Sequence, residues 1–114
     1  MYNINPTLIH GLALQWASAK YPDDLDNPYK RQRLDVRVYE SSGSGYYFIH
    51  GHGPGKWYYR DDATVEYFTK TTMSEVQSAI DANGRVQIVG DRGKSFGVWD
   101  NWEKFTEEVI SWAH

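Results

Sequence analysis

Between Leu34 and Thr69 the chain offers four short runs suited to strands, each too close to the next for anything but a tight return. Leu34, Val36 and Val38 alternate with Asp35, Arg37 and Tyr39, the period of a strand with one wet face. Ser41-Ser42-Gly43-Ser44-Gly45 turns the chain, and Tyr46 to His50 follows as the second run. Gly51-His52-Gly53-Pro54-Gly55 turns it again before Lys56 to Arg60; Asp61-Asp62 makes the next turn, ahead of Val65, Tyr67 and Thr69. A parallel crossover needs about a dozen residues or more, so these neighbours pair antiparallel, as a meander.

Helical periods bracket the meander. Asn5 is a good N-cap and Pro6 suits the first helical position, which predicts a helix from about Pro6 to Lys20. Leu8, Leu12 and Trp16, with Ile9, Ala13 and Ala17 alongside, form its apolar stripe, and Tyr21-Pro22 ends it. Tyr21 to Arg33 reads as a loop, acidic in its first half and basic in its second. Thr72 and Glu75 match a capping box; Met73, Val76, Ala79 and Ile80 give that helix its buried stripe, and Asn83-Gly84 its left-handed stop. Val86 and Ile88 lie on one face of a fifth strand, Phe96 and Val98 on one face of a sixth, with Gly90-Asp91-Arg92-Gly93 as the hairpin between them. A last helix from about Asn101 to Trp112 has Asp100 as its cap and Trp102, Phe105, Val109 and Trp112 on its buried side. The expected fold is a single α+β domain over residues 1–114, an antiparallel sheet of about five or six strands packed against three helices.

Composition narrows the classes of function. At 40% hydrophobic and 24% charged residues, 114 residues suit one packed domain and neither a disordered nor a membrane-embedded chain. No apolar run approaches the roughly 18 residues of a spanning helix. The absence of cysteine removes disulfides, thiolate metal sites and cysteine nucleophiles, and suits a reducing compartment. Met1 to Pro6 lacks the basic and long apolar regions of a signal peptide, so the expected location is cytoplasmic.

Chemistry-bearing patterns fall short of a catalytic set. His50-Gly51-His52-Gly53-Pro54-Gly55-Lys56 resembles a phosphate loop only in glycine content: His50 stands where the first glycine belongs, Trp57 where a Ser or Thr belongs, and a strand follows instead of a helix. His50 and His52, two apart on an extended segment, point to one side and form the candidate metal pair, with Asp61, Asp62, Glu66 or His10 as third ligand. The competing reading is a solvated glycine turn. Ser44 lacks a nucleophile elbow, and Asp23-Asp24 and Asp61-Asp62 sit where turns favour Asp. No catalytic residue, metal or cofactor is assigned, and a non-enzymatic role is expected.

Nine Tyr, five Trp and four Phe, with a net charge of −3, point towards binding. The expected function is a small acidic protein-binding module, an inhibitor, immunity protein or accessory subunit occluding a larger partner such as a basic nucleic-acid-processing enzyme. Its contact set is Tyr39, Tyr47, Tyr58 and Arg60 with Asp23, Asp24, Asp26, Asp61 and Asp62. Two alternatives stand beside it. One is single-stranded nucleic-acid binding by the aromatic hairpin Tyr46–Arg60, the other a small metal-dependent enzyme using His50 and His52.

Overall fold

The computed structural model describes residues 5–41, 43, 45–50, 53–59 and 65–113, with the backbone alone at 53, 57–59, 65–70 and 113. Asn5 caps the first helix, α1 (Pro6–Lys20), by accepting from the Leu8 N–H at 3.2 Å. Ile9, Ala13, Trp16 and Ala17 are buried, whereas Leu8 is 58% exposed. The stripe that meets the sheet is therefore centred one residue further along than the Leu8–Leu12 spacing suggested. The expected loop from Tyr21 to Arg33 contains a short helix, α2 (Pro28–Gln32). Asn27-Pro28 repeats the Asn5-Pro6 start signal, and the Asn27 side chain accepts from the Lys30 N–H at 3.0 Å.

Six antiparallel strands follow: β1 (Asp35–Tyr39), β2 (Gly45–His50), β3 (Gly53–Tyr59), β4 (Val65–Lys70), β5 (Val86–Val89) and β6 (Ser95–Trp99). Their order in the sheet is β4-β3-β2-β1-β5-β6, so the first four strands form the expected meander. Helix α3 (Met73–Asp81) then carries the chain back across the sheet to pair β5 with the free side of β1. Thr72 caps α3 through the Glu75 N–H at 3.3 Å, and the Glu75 carboxylate accepts from the Thr71 hydroxyl. Asn83 supplies the left-handed stop, at φ 60°. Gly84 serves closeness instead, since a Cβ there would lie 2.2 Å from the Tyr39 carbonyl oxygen.

One face of the sheet carries Val36, Val38, Tyr47, Ile49, Val86 and Ile88, and the buried residues of α1, α3 and α4 (Trp102–Glu108) all join this cluster. Edge-to-face ring pairs lock it, with centroids 5.4 Å apart for Trp16–Trp99 and 5.2 Å for Trp99–Phe105. Phe96 and Val98 do not share a face as their spacing implied. The β5–β6 register slips between Ile88 and Val89, so Phe96 enters the core while Val98 stays 51% exposed. Asn101, not Asp100, caps α4 by accepting from the Lys104 N–H at 3.0 Å, while Asp100 pairs with the Lys104 ammonium at 3.1 Å. The helix gives way to a 3-10 turn, Ile110–Ala113, which leaves Trp112 51% exposed rather than on the buried side. Among the described residues no helix is long and apolar enough to cross a membrane.

Candidate functional site

The alternation that buries Val36 and Val38 sends Asp35, Arg37 and Tyr39 to the other face of β1. Pairing with β2 sets Phe48 opposite Arg37 and Tyr46 opposite Tyr39; pairing with β5 sets Gln87 opposite Arg37. A stacked series results. The Arg37 guanidinium lies 4.5 Å from the Tyr46 ring centroid, the Tyr46 and Tyr39 rings are 5.3 Å apart, and the Arg85 guanidinium lies 4.3 Å from the Tyr39 ring. Each such cation–ring contact contributes about 0.5–1 kcal/mol at an exposed site, and it fixes where the charge is held. The Tyr39 hydroxyl donates to Gln87 Oε1 at 2.8 Å. Tyr46 and Phe48 are buried yet stand outside the helix-facing cluster.

Where this face meets the end of the sheet, a cleft of about 840 Å³ opens. Asp35 and Arg37 reach it from β1, His50 from the end of β2, and His10 from α1. Tyr29, Gln32 and Arg33 line the α2 side, and Gly90 to Gly93, the turn between β5 and β6, line the far side. The His10 Nε2 stands 3.0 Å from the Leu34 carbonyl oxygen, which orients the ring as a donor there. Arg33 pairs with Asp91 at 3.6 Å and lies 5.4 Å from the Tyr29 ring. Arg92 holds a left-handed backbone, φ 59°, a conformation uncommon outside glycine. Burial pushes the Asp35 carboxyl above its ordinary value, against the opposing pull of Arg37, His50, His10 and Arg33. The Arg37 Nε–H is shut away from solvent and meets no acceptor among the described residues.

The contact set expected from sequence is divided by this arrangement. Tyr39 stands at its centre, half-buried. Tyr47 belongs to the opposite face: it pairs with Val38, is 7% exposed and packs in the core, so its ring is not available as an anchor. Its hydroxyl donates to Glu40 Oε1 at 3.1 Å and accepts from the Lys56 ammonium at 3.4 Å, and Lys56 in turn pairs with Glu40. Tyr58 falls in β3 opposite Gly45 and Tyr67, its side chain outside the described residues. Arg60, Asp61, Asp62 and His52 also lie outside them. Of the acidic loop, Asp23 is exposed, Asp24 pairs with Lys94 at 2.7 Å and Asp26 with Lys30 at 3.2 Å. Two of the three carboxylates of that loop are thus paired within the chain. Among the described residues no three His, Asp or Glu side chains gather to hold a metal ion.

The sequence singled out neither Arg37, Arg85 and Asp35 nor the Arg33–Arg92 rim, and offered His10 only as a third metal ligand beside His50 and His52. Strand alternation already placed Asp35, Arg37 and Tyr39 on one side; the register that stacks Arg37 on Tyr46 is not local information. Compared with protein-family models, curated proteins and solved structures, the chain matches none, and its reading rests on its own residues.

Proposed function

We propose that the chain is a protein-binding module, acting as an inhibitor, immunity protein or accessory subunit, and that it meets its partner through the sheet face around Tyr39. The observation that carries this reading is the stack of Arg37, Tyr46, Tyr39 and Arg85 on the face that the helices' buried residues do not join. Tyrosine and arginine are enriched at binding hot spots; tyrosine buries a large area with little loss of freedom, and these arginines are already held against rings before a partner arrives. The pairing of Asp24 and Asp26 within the chain, and the arginines on this face, favour a partner that presents acidic groups over a basic one. A cysteine-free chain suits a partner in the cytoplasm.

The test is affinity capture from source cells by the tagged chain, followed by direct titration of the captured protein. Tyr39→Ala is expected to cost more than about 2 kcal/mol of binding and Arg85→Ala at least about 1. Arg85→Ala should keep the parent's unfolding midpoint to within a few degrees, whereas Tyr39→Ala loses its contacts with Gln87, Tyr46 and Arg85 and is titrated well below its lowered midpoint. Undiminished binding by both variants would defeat the proposal.

A second reading draws on the same stack, since guanidinium–ring pairs on a sheet also suit single-stranded nucleic acid. It requires an affinity for oligonucleotides that falls steeply as salt is raised. A flat titration at low salt removes it.

A further inference from the structure

We infer that the cleft at the end of the sheet binds a phosphate monoester, held by Arg37 and Arg92 and approached past Arg33. The inference concerns a site adjoining the Tyr39 surface and does not require that surface to bind a protein.

Charge is the first argument. Arg33, Arg37 and Arg92 line the cleft together with His10 and His50, against Asp35 and Asp91. Asp91 is matched by Arg33 at 3.6 Å, which leaves Asp35 as the other lining carboxylate against the two further arginines of the lining, Arg37 and Arg92. Arginine is the side chain whose planar fork fits a tetrahedral oxyanion, offering two parallel donors in one rigid unit.

Orientation is the second. Arg37 is not a loose surface side chain; its guanidinium is laid on the Tyr46 ring at 4.5 Å. Its Nε–H is buried with no acceptor among the described residues, a state that folded proteins rarely leave unanswered. An oxyanion lodged between Arg37 and Arg92 would supply an acceptor to a guanidinium that turns towards the cleft. Arg92 is presented from a backbone at φ 59°, between Gly90 and Gly93, where a non-glycine residue costs about 1 kcal/mol or more. Such local strain persists where the surrounding structure holds it, and it gathers at binding sites.

Size is the third. A volume of about 840 Å³ lies within the range of small-molecule sites and leaves room for the body of an ester beyond the phosphoryl group. The exposed ring of Tyr29 on the rim offers that body an apolar surface.

Amide-resolved NMR titration of the full chain at low salt tests this with four probes: phenyl phosphate, adenosine monophosphate, inorganic phosphate and adenosine. The two esters are expected to shift the Asp35, Arg37 and Gly90–Gly93 amides saturably, with Kd below about 1 mM. Inorganic phosphate should bind more weakly and adenosine should leave these amides unmoved. Arg37→Met and Arg92→Ala should each raise Kd about tenfold or more, with Arg37→Lys intermediate because it keeps the charge and loses the fork. The inference is overturned if neither ester saturates by about 10 mM, a concentration far above useful affinity. It is equally overturned if the Met and Ala variants bind the esters like the parent, or if inorganic phosphate binds as tightly as both esters. Arg85→Ala serves as the separating control: Arg85 rests on Tyr39 at the far end of the stack and does not line the cleft, so this variant should leave ester binding in place while the protein partner is weakened, and the two losses are read independently.

Discussion

Replacing Glu40 by Gln tests the Lys56–Glu40–Tyr47 group, which the chain buries at the edge of its core. Lys56 is forced inward by register, since β3 places it directly opposite Tyr47 on the helix-facing side. Its side chain is 8% exposed and that of Glu40 is 20% exposed. In Glu40→Gln a largely buried ammonium loses the charge of its described carboxylate partner, and breaking a buried pair in this way costs about 3–5 kcal/mol. Because water already reaches part of Glu40, the lower end applies, about 3 kcal/mol, or roughly 10 °C in the unfolding midpoint of a domain this size. Lys56→Met should cost less, about 1 kcal/mol, because the carboxylate left behind is the wetter partner and still accepts from Tyr47. The double variant should then be more stable than Glu40→Gln alone. Alkaline pH gives a second reading. Burial lowers the Lys56 pKa, but its hydrogen bonds to Glu40 and Tyr47 and the Glu40 charge outweigh burial and hold it above the ordinary 10.5. The ammonium's contribution is therefore complete below pH 10.5 and is lost as pH rises through the higher folded value. Burial raises the Tyr47 phenol above 10.0 as well, which adds to the same alkaline loss. Urea unfolding at pH 7 and pH 11 measures all of this. A loss below about 0.5 kcal/mol for Glu40→Gln, or a double variant worse than either single one, would refute the reasoning.

Two further outcomes follow from the site. Asp35→Asn should raise the midpoint at pH 7. Burial lifts the folded pKa of Asp35 above its unfolded 3.8, so its favourable contribution exists below pH 3.8 and is lost as pH rises through the folded value. The gain should shrink towards zero at pH 3, and thermal melts at the two pH values check it. Gly84→Ala sets a methyl group 2.2 Å from the Tyr39 carbonyl, so the backbone must give way, at a cost of about 1–3 kcal/mol. Partner binding through Tyr39 should weaken in this variant even where it remains folded, as titration of the purified variant would show.

What could be read from the sequence was local. The Asn5-Pro6 start of α1, the Thr72 cap and the Asn83 stop depend on neighbours within four residues, and each appears where those neighbours place it. The same signal at Asn27-Pro28 was masked by the charged loop around it, and α2 was missed. Alternation along β1 correctly separates Val36 and Val38 from Arg37 and Tyr39, but it does not tell which face the helices cover. That decision placed Tyr47 in the core and Tyr39 outside it, although the two look alike in the sequence. The slip beside Ile88 likewise separates Phe96 from Val98, two residues that simple alternation keeps together. The cleft was hidden for a different reason. His10, Asp35, His50 and Arg92 come from four distant segments, and only the assembled sheet with α1 packed on it brings them together.

The strand order has a consequence for the order of synthesis. Strands β1 to β4 can zip together as the nascent chain emerges, each against the one made just before it. The outer side of β1 has to wait, because its second neighbour is Val86–Val89, made only after α3. Throughout that interval Asp35–Tyr39 presents an unprotected row of backbone donors and acceptors, open to a strand from any other chain nearby. Slowing translation across the α3 codons would lengthen this exposure, and the harm from it would appear as lower soluble yield rather than as a weaker finished protein.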